Sequence, residues 1–335
     1  MVFWKEKKSA IFTCFFIHDI LEKIMRGSTM IKMVREEEAD AITHCGTMHA
    51  DEVFATAFLE LYYGEIKVAR VKEVDKNLKK ETLVYDIGRG KYDHHQENAE
   101  VRENGIKYSS FGLLWKDFGI KYLEKLKIKE KEEVFLALDQ DFVMMIDAID
   151  NGIFPKIEAS YKVKTVSDVI KLFNPSFGTN EKENDQFALA VSVAKTIWKR
   201  EIRQVVGKIK AKHLVLKEIK EQKGPILFLK EYMPYEQTLL ESSFGEKFLL
   251  VVFPSNRGGY SVQCIPISTE IKEDRILFPE EWAGLDQKAL QEVSKTKTIR
   301  FCHRNRFIAC CDTKEDAIAI AKKAIEIAEE KEKNG

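Results

Sequence analysis

ADAITHCGTMHADEVFATAFLELYYGEIKVARV, residues 39–71, changes its hydrophobic period twice. ADAITHC (39–45) is a short strand-like run, and ADEVFATAFLELYY (50–63) then places Val53, Phe54, Ala57, Phe58 and Leu61 at helical spacing. EIKVARV (65–71) returns to β-branched, strand-like composition. The alternation continues. TLVYDIG (82–88) reads as a further strand. YSSFGLLWKDFG (108–119) and KEEVFLALDQDFVMMIDAIDNG (131–152) read as helices, the second stopped by Asn151-Gly152. Strands alternating with helices predict an α/β fold with a largely parallel sheet flanked by helices. Ligands of such sheets sit at the carboxyl ends of the strands.

Beyond the loop NPSFGTNEKEND (174–185) a helical pattern runs from about 185 to 221. Short strands follow in ILFLK, FLLVVFP, GYSVQCIP, TIRFCHRN and RFIACC, and a final amphipathic helix begins after Thr313, a suitable N-cap. The expected organisation is an N-terminal extension (1–35), a catalytic domain (36–180), and a helical connector with a smaller α+β domain (181–335). The first 30 residues place basic side chains before a short apolar stretch, as targeting segments do. Against that, no small-residue cleavage site follows, and Glu6, Asp19 and Glu22 oppose a transit peptide. A dispensable extension, or a start near Met30, is the competing expectation.

The 335 residues contain 54 basic and 54 acidic side chains, a formal net charge of zero. That balance disfavours a long duplex held by broad electrostatics and leaves room for a short nucleic-acid substrate. Six cysteines lack CxxC spacing and suit a reducing compartment. No apolar run is long enough to span a bilayer.

Of seven histidines, four fall between residues 44 and 95, each at or just after a predicted strand end. THCGTMHADE supplies His44, His49 and Asp51, VYDIG supplies Asp86, and YDHH supplies Asp93, His94 and His95. MIDAIDNG adds Asp147 and Asp150, neighbours on one helix face. Singly, each has an ordinary explanation: Asp51 and Glu52 as first-turn acids, Asp86 as a turn residue, His94-His95 as a solvated loop. Together they supply the imidazoles and carboxylates that suit manganese, zinc or iron. Their number matches the roughly six or seven ligands of two cations about 3.5–4 Å apart. Asp86 is the expected bridge.

The ordered set THCGTMHADE, VYDIG, YDHH and IDAIDNG resembles the DHH phosphoesterase superfamily, and more closely its eukaryotic branch, the MYG (melanocyte proliferating gene) exonuclease family. The likeness extends through FNPSF, CIPISTEIKEDRILFPEEWAGL and FCHRNRFIACCDTKEDAIAIAKKAI, covering roughly residues 40–330. It implies a two-metal phosphodiesterase with manganese the usual ion, zinc or magnesium being alternatives. His44 and His49 would hold one ion, and Asp51 and His94 the other. Asp86 would bridge, and Asp147 or Asp150 would complete the second site. His95 would face the scissile phosphate and Asp93 would orient a histidine. Arg257, Arg275, His303, Arg304 and Arg306 are the candidates for substrate contact.

The likeness further implies a 3′→5′ exonuclease on RNA, in nucleus and mitochondrion, with no membrane partner. Two other readings stand beside it: a phosphatase or phosphodiesterase for small nucleotides, and a non-catalytic metal-binding module. Two departures stand out. Cys45 replaces the family's usual serine, and the glycine pair expected near Ala309-Cys310 is absent, which bears on how substrate is gripped.

Overall fold

The computed structural model describes residues 31–334 apart from Lys272, so the expectations for the first 30 residues lie outside it. The described residues part into two compact units after Val206. That point lies inside the long helix α6 (Glu183–Glu221).

The first unit is built on a parallel sheet of β1 (Lys32–Met33), β2 (Ala41–His44), β3 (Lys67–Val71) and β4 (Leu83–Val84), in the order β1-β3-β2-β4. Ile42 sits at the centre, opposite Ala69 on one side and Val84 on the other. It is wholly buried with Ala39, Ala69 and their apolar neighbours. Helix α1 (Ala50–Tyr63) carries the chain from β2 to β3, and the chain then crosses back to place β4 on the opposite side of β2. The carboxyl end of β2, beside β4, is therefore a switch point, where open α/β sheets leave a crevice.

β4 stops earlier than the run TLVYDIG predicts. Tyr85 makes an isolated bridge to Tyr92, and Asp86 takes φ 56, a left-handed conformation that ends a strand. The predicted helix 131–152 is also divided. α3 (Lys131–Leu138) and α4 (Met144–Asp150) are joined by a π-helical turn, Asp139–Val143, before Gly152 ends the run at φ 77.

Helix α2 (Ser110–Lys125) packs through Phe111 and Trp115 into an aromatic core with Phe54, Phe58, Phe142 and Trp198. Edge-on ring contacts between 5.1 and 5.5 Å fix these helices firmly, since each such pair adds to what area burial alone supplies. The short helix α5 (Val166–Lys171) opens with a Thr165–Asp168 capping box.

The second unit is a mixed five-stranded sheet in the order β5-β6-β7-β9-β8: Ile226–Phe228, Leu250–Pro254, Tyr260–Cys264, Ile308–Cys311 and Ile299–Cys302. Only β5 and β6 run parallel. Both faces are covered, as period-two alternation in β6 requires. Leu250 and Val252 pack toward α9 (Lys314–Asn334), whereas Val251 and Phe253 pack with Val215 and Ile219 of α6. Thr313 accepts at its hydroxyl from the Asp316 N–H and caps α9, as expected. Cys45, Cys264, Cys302, Cys310 and Cys311 are free thiols. No helix among the described residues is long and apolar enough to cross a membrane.

Candidate metal centre

β2 ends at His44, whose Nδ1 donates to the Cys45 carbonyl at 3.0 Å. That bond leaves Nε2 aimed at Asp86 Oδ2 (3.2 Å) and Glu52 Oε1 (3.5 Å). The loop that follows is tied down from three sides. Arg70 donates to the carbonyls of His44 (3.1 Å) and Gly46 (2.8 Å), and Glu183 accepts from the Gly46 N–H. Asn174 bonds both the N–H and the carbonyl of Met48 (2.8 and 3.0 Å). His49 then stands at the N-cap of α1, its N–H bonded to Glu52 Oε1, its ring 5.9 Å from that of His44.

Asp51, in the first turn of α1, is fully buried against the start of α2. Its carboxylate accepts from the N–H groups of Ser110 (3.0 Å) and Phe111 (2.7 Å) and from the Ser109 hydroxyl. Ser109 occupies the N-cap of α2 yet does not cap it; Asp51 satisfies those amides instead. The Ser109 hydroxyl also lies 2.5 Å from Asp147 Oδ1, so it joins the two acids.

Asp86 faces both halves of the cluster. While Oδ2 meets His44, Oδ1 lies 3.4 Å from His94 Nδ1, and neither of these last two atoms has a hydrogen-bond partner although both are buried. His94 Nε2 meets Asp150 Oδ2 at 3.1 Å, and Asp150 also lies 4.0 Å from His49 Nδ1. The His95 ring lies 4.1 Å from that of His94, tilted by 32°, and remains 61% exposed. Its Nδ1 is held by Asp93 Oδ1 (2.8 Å), and Asp93 is held by the N–H groups of Arg89 (2.6 Å) and His95 (3.0 Å). Nε2 of His95 is thereby left to face outward.

Asp147 and Asp150 share a helix face but not their partners. Asp147 is wholly buried: it accepts from the Gly112 N–H (3.1 Å) and pairs with Arg102 at 2.7 Å. Arg102 also forks onto Asp139 at the π turn (2.9 and 2.8 Å). Side-chain donors gather instead as Asp51, His94 and Asp150; as His44, His49 and Glu52; and as Asp86, Asp93, His94 and His95. Glu52 thus joins the site where sequence reading gave it only a first-turn place. Arg102, Ser109, Gly112 and Asn174 are further participants without a local signal.

Charges reflect the crowding. Burial opposes a charge on His44, but its bond to Asp86 and the nearby Glu52 outweigh this and raise it to about 9. Burial raises Glu52 to about 8, against the attraction of His44. Asp51 is pushed well above the usual range by burial and by repulsion from Asp86, Asp150 and Asp147. Burial also raises Asp147 to about 6, although Arg102 pulls the other way. Asp93 is lowered: burial is outweighed by the N–H groups of His95 and Arg89 and by the His95 ring.

Gly112 is needed for this packing, because a Cβ there would overlap the Asp147 carboxylate. Gly112→Ala is expected to destabilise the first unit by about 1–3 kcal/mol through overpacking. Thermal unfolding would measure this, and an unchanged midpoint would remove the requirement.

In the second unit the candidate substrate residues differ. Arg275 is engaged within the fold, its guanidinium donating to the carbonyls of Gly245, Glu246 and Phe248. Arg306 adopts φ 63 in the β8–β9 turn, bonding the His303 carbonyl through its N–H. His303 Nδ1 accepts from the Asn305 N–H (3.0 Å). Arg257 and Arg304 are exposed.

The family model MYG1_exonuc, described as "Uncharacterised protein family (UPF0160)", matches residues 40–325. The chain belongs to this family. It is 27% identical to the MYG1 exonuclease of Mus musculus over 316 residues, covering 84% of this chain and 83% of that protein. Against the MYG1 exonuclease of Homo sapiens the figures are 26%, 84% and 84%. A MYG1 protein of Schizosaccharomyces pombe is 28% identical, with 85% of this chain and 96% of that protein covered. No solved structure gives a significant match. The MYG1 match spans His44 to Asp150, so every donor described above lies within the family's region.

Proposed function

We propose that the chain is a metal-dependent phosphodiester hydrolase, and specifically a 3′→5′ exonuclease acting on RNA. The observation that carries this reading is the pair of buried atoms left unsatisfied, Asp86 Oδ1 and His94 Nδ1, 3.4 Å apart inside a cluster of carboxylates and imidazoles. Buried polar atoms without partners are rare enough to require a reason, and a cation bound by this cluster would provide one. The printed names of the mouse and human relatives supply the word exonuclease. The resemblance to the MYG exonuclease branch of the DHH phosphoesterases supplies manganese, RNA and the nuclear or mitochondrial setting.

His44, His49 and Glu52 would hold one cation, Asp51, His94 and Asp150 a second, and Asp86 would offer one oxygen to each. Asp147 serves as a support, since Arg102 and the α2 amides already engage it. Divalent cations, when bound, polarise the phosphate and supply an activated water. As an imidazolium, His95 would donate through Nε2 to a phosphoryl oxygen, while the bond from its Nδ1–H to Asp93 sets the direction of the ring. The α2 amides hold Asp51 in place throughout. Arg257, His303, Arg304 and Arg306 would be candidates to meet phosphates of the RNA, whereas Arg275 is engaged within its own unit.

Incubation with manganese and end-labelled RNA tests this reading. A ladder shortened from the 3′ end is expected. Turnover of dinucleotides with intact RNA would overturn it in favour of the small-nucleotide enzyme.

Stability should report the same cluster. A native pKa above the unfolded value means that folding binds protons, and the resulting stability is lost as pH rises through the native value. For Glu52 that window runs from 4.5 to about 8, and for His44 from 6.5 to about 9. In chelator, the melting temperature should therefore fall between about pH 6 and pH 8.5. Manganese should restore it, and by more at higher pH, because ligands must shed protons to bind. A melting temperature insensitive to both pH and manganese would refute the ligand set.

A further inference from the structure

Immediately beyond Asp150 the chain runs from residue 152 to 164 without helix or strand, and every one of these 13 residues is exposed. A structureless stretch of this length within a compact unit is commonly a binding or covering element. Its composition is unusual for solvent-facing chain: Phe154 is 66% and Tyr161 75% exposed, with Ile153, Ile157 and Val163 exposed between them. Contiguous apolar exposure marks a surface that meets something. Lys156, Lys162 and Lys164 are interleaved with these side chains against the single acid Glu158, giving a local excess of positive charge in a chain of zero net charge.

The start of the segment is fastened beside the clustered side chains, and its end runs directly into α5. At its start, the Ile153 N–H bonds the Ala148 carbonyl (2.8 Å) and the Asn151 amide bonds the Asp147 carbonyl (2.9 Å), one turn from the Asp150 carboxylate that meets His94. At its end, the Thr165 cap opens α5, after which Asn174 clamps Met48, the residue before His49. The segment is a strap rooted in the helix that carries Asp150 and leading, through α5, to the residue that clamps the loop before His49.

We propose that this strap binds single-stranded nucleic acid, with bases stacked on Phe154 and Tyr161 and phosphates met by Lys156, Lys162 and Lys164. The proposal rests on the phosphodiesterase reading and names how that site takes its substrate. Exposed aromatics alternating with cations are what sequence-tolerant single-strand binding uses, because every base has a stacking face and every linkage a charge. A contact between two copies of this chain fits less well, since lysine is depleted from the cores of protein interfaces.

Fluorescence anisotropy with a labelled single-stranded RNA of about twelve nucleotides, in chelator so that nothing is cleaved, measures this directly. Phe154→Ala and Tyr161→Ala should each weaken binding roughly tenfold. Replacing the three lysines with glutamine should reduce the slope of log affinity against log salt by about 2. Phe244→Ala, at an exposed aromatic of the second unit, should bind as the parent does. Matching melting temperatures would show that the variants are folded.

Parent-like affinity and salt slope in the strap variants would overturn the proposal. So would a parent protein without RNA affinity, or variants that bind RNA normally but change from dimer to monomer in sedimentation. A parent that shortens RNA with manganese while the strap variants bind it normally removes the strap alone. A parent that never shortens RNA removes the exonuclease reading.

Discussion

Asp86→Asn should abolish manganese-dependent hydrolysis of RNA, with a loss on the order of 10³-fold or more, as expected when positioned charge is removed from the reacting centre. The substitution is a clean one for a structural reason. Asp86 stands at φ 56, a conformation that asparagine tolerates as well as aspartate does. The Tyr92 carbonyl would still accept from the backbone N–H of residue 86, so the turn is preserved. What changes is the charge between His44 and His94, and with it the affinity for cations. Calorimetric titration with manganese should show this loss alongside the activity assay. Hydrolysis within tenfold of the parent, in a variant with a parental circular dichroism spectrum, would refute the bridging role.

Arg102→Ala should be the most destabilising change away from the cations. The guanidinium is almost wholly buried, forks onto Asp139, pairs with Asp147 and lies 3.8 Å from the Tyr108 ring centre. Its removal leaves two carboxylates buried without their shared counter-charge, which costs about 3–5 kcal/mol. In a unit of this size that corresponds to a fall in melting temperature of roughly 10 °C. The deficit should shrink in acid, because carboxylates stripped of their cation have raised native pKa values and regain stability as they are protonated. Arg102→Lys should recover only part of it, since an ammonium cannot fork. A shift of only a degree or two for Arg102→Ala would contradict this account.

Much of this was legible in the chain. The β2-α1-β3 unit followed from hydrophobic period, because the interior faces of a strand and a helix repeat differently. The clustering of His44, His49, Asp51, Asp86 and His94 followed from residue type and from the rule that parallel sheets present ligands at strand ends. The rest was hidden for identifiable reasons. Glu52 looks like any first-turn acid until the fold brings His44 and Asp86 against it. Arg102, Ser109 and Gly112 act on partners 35 to 58 residues away, and no local pattern records such pairing. The π turn leaves the apolar spacing of residues 131–150 looking continuous. Asp147 and Asp150 share one face, so periodicity could not tell that the first pairs with Arg102 and the second with His94.

One contact described above couples this site to assembly of the fold. The amides that open α2 are satisfied by Asp51, a side chain of α1, and not by a residue of their own helix. The first turn of α2 is therefore completed only when α1 has docked against it, and folding of the helical layer and construction of this wall of the cluster become one cooperative event. Solvent hydrogen exchange at Ser110 and Phe111 consequently follows the integrity of the centre itself. Their protection gives a clock for its opening that requires neither metal nor substrate.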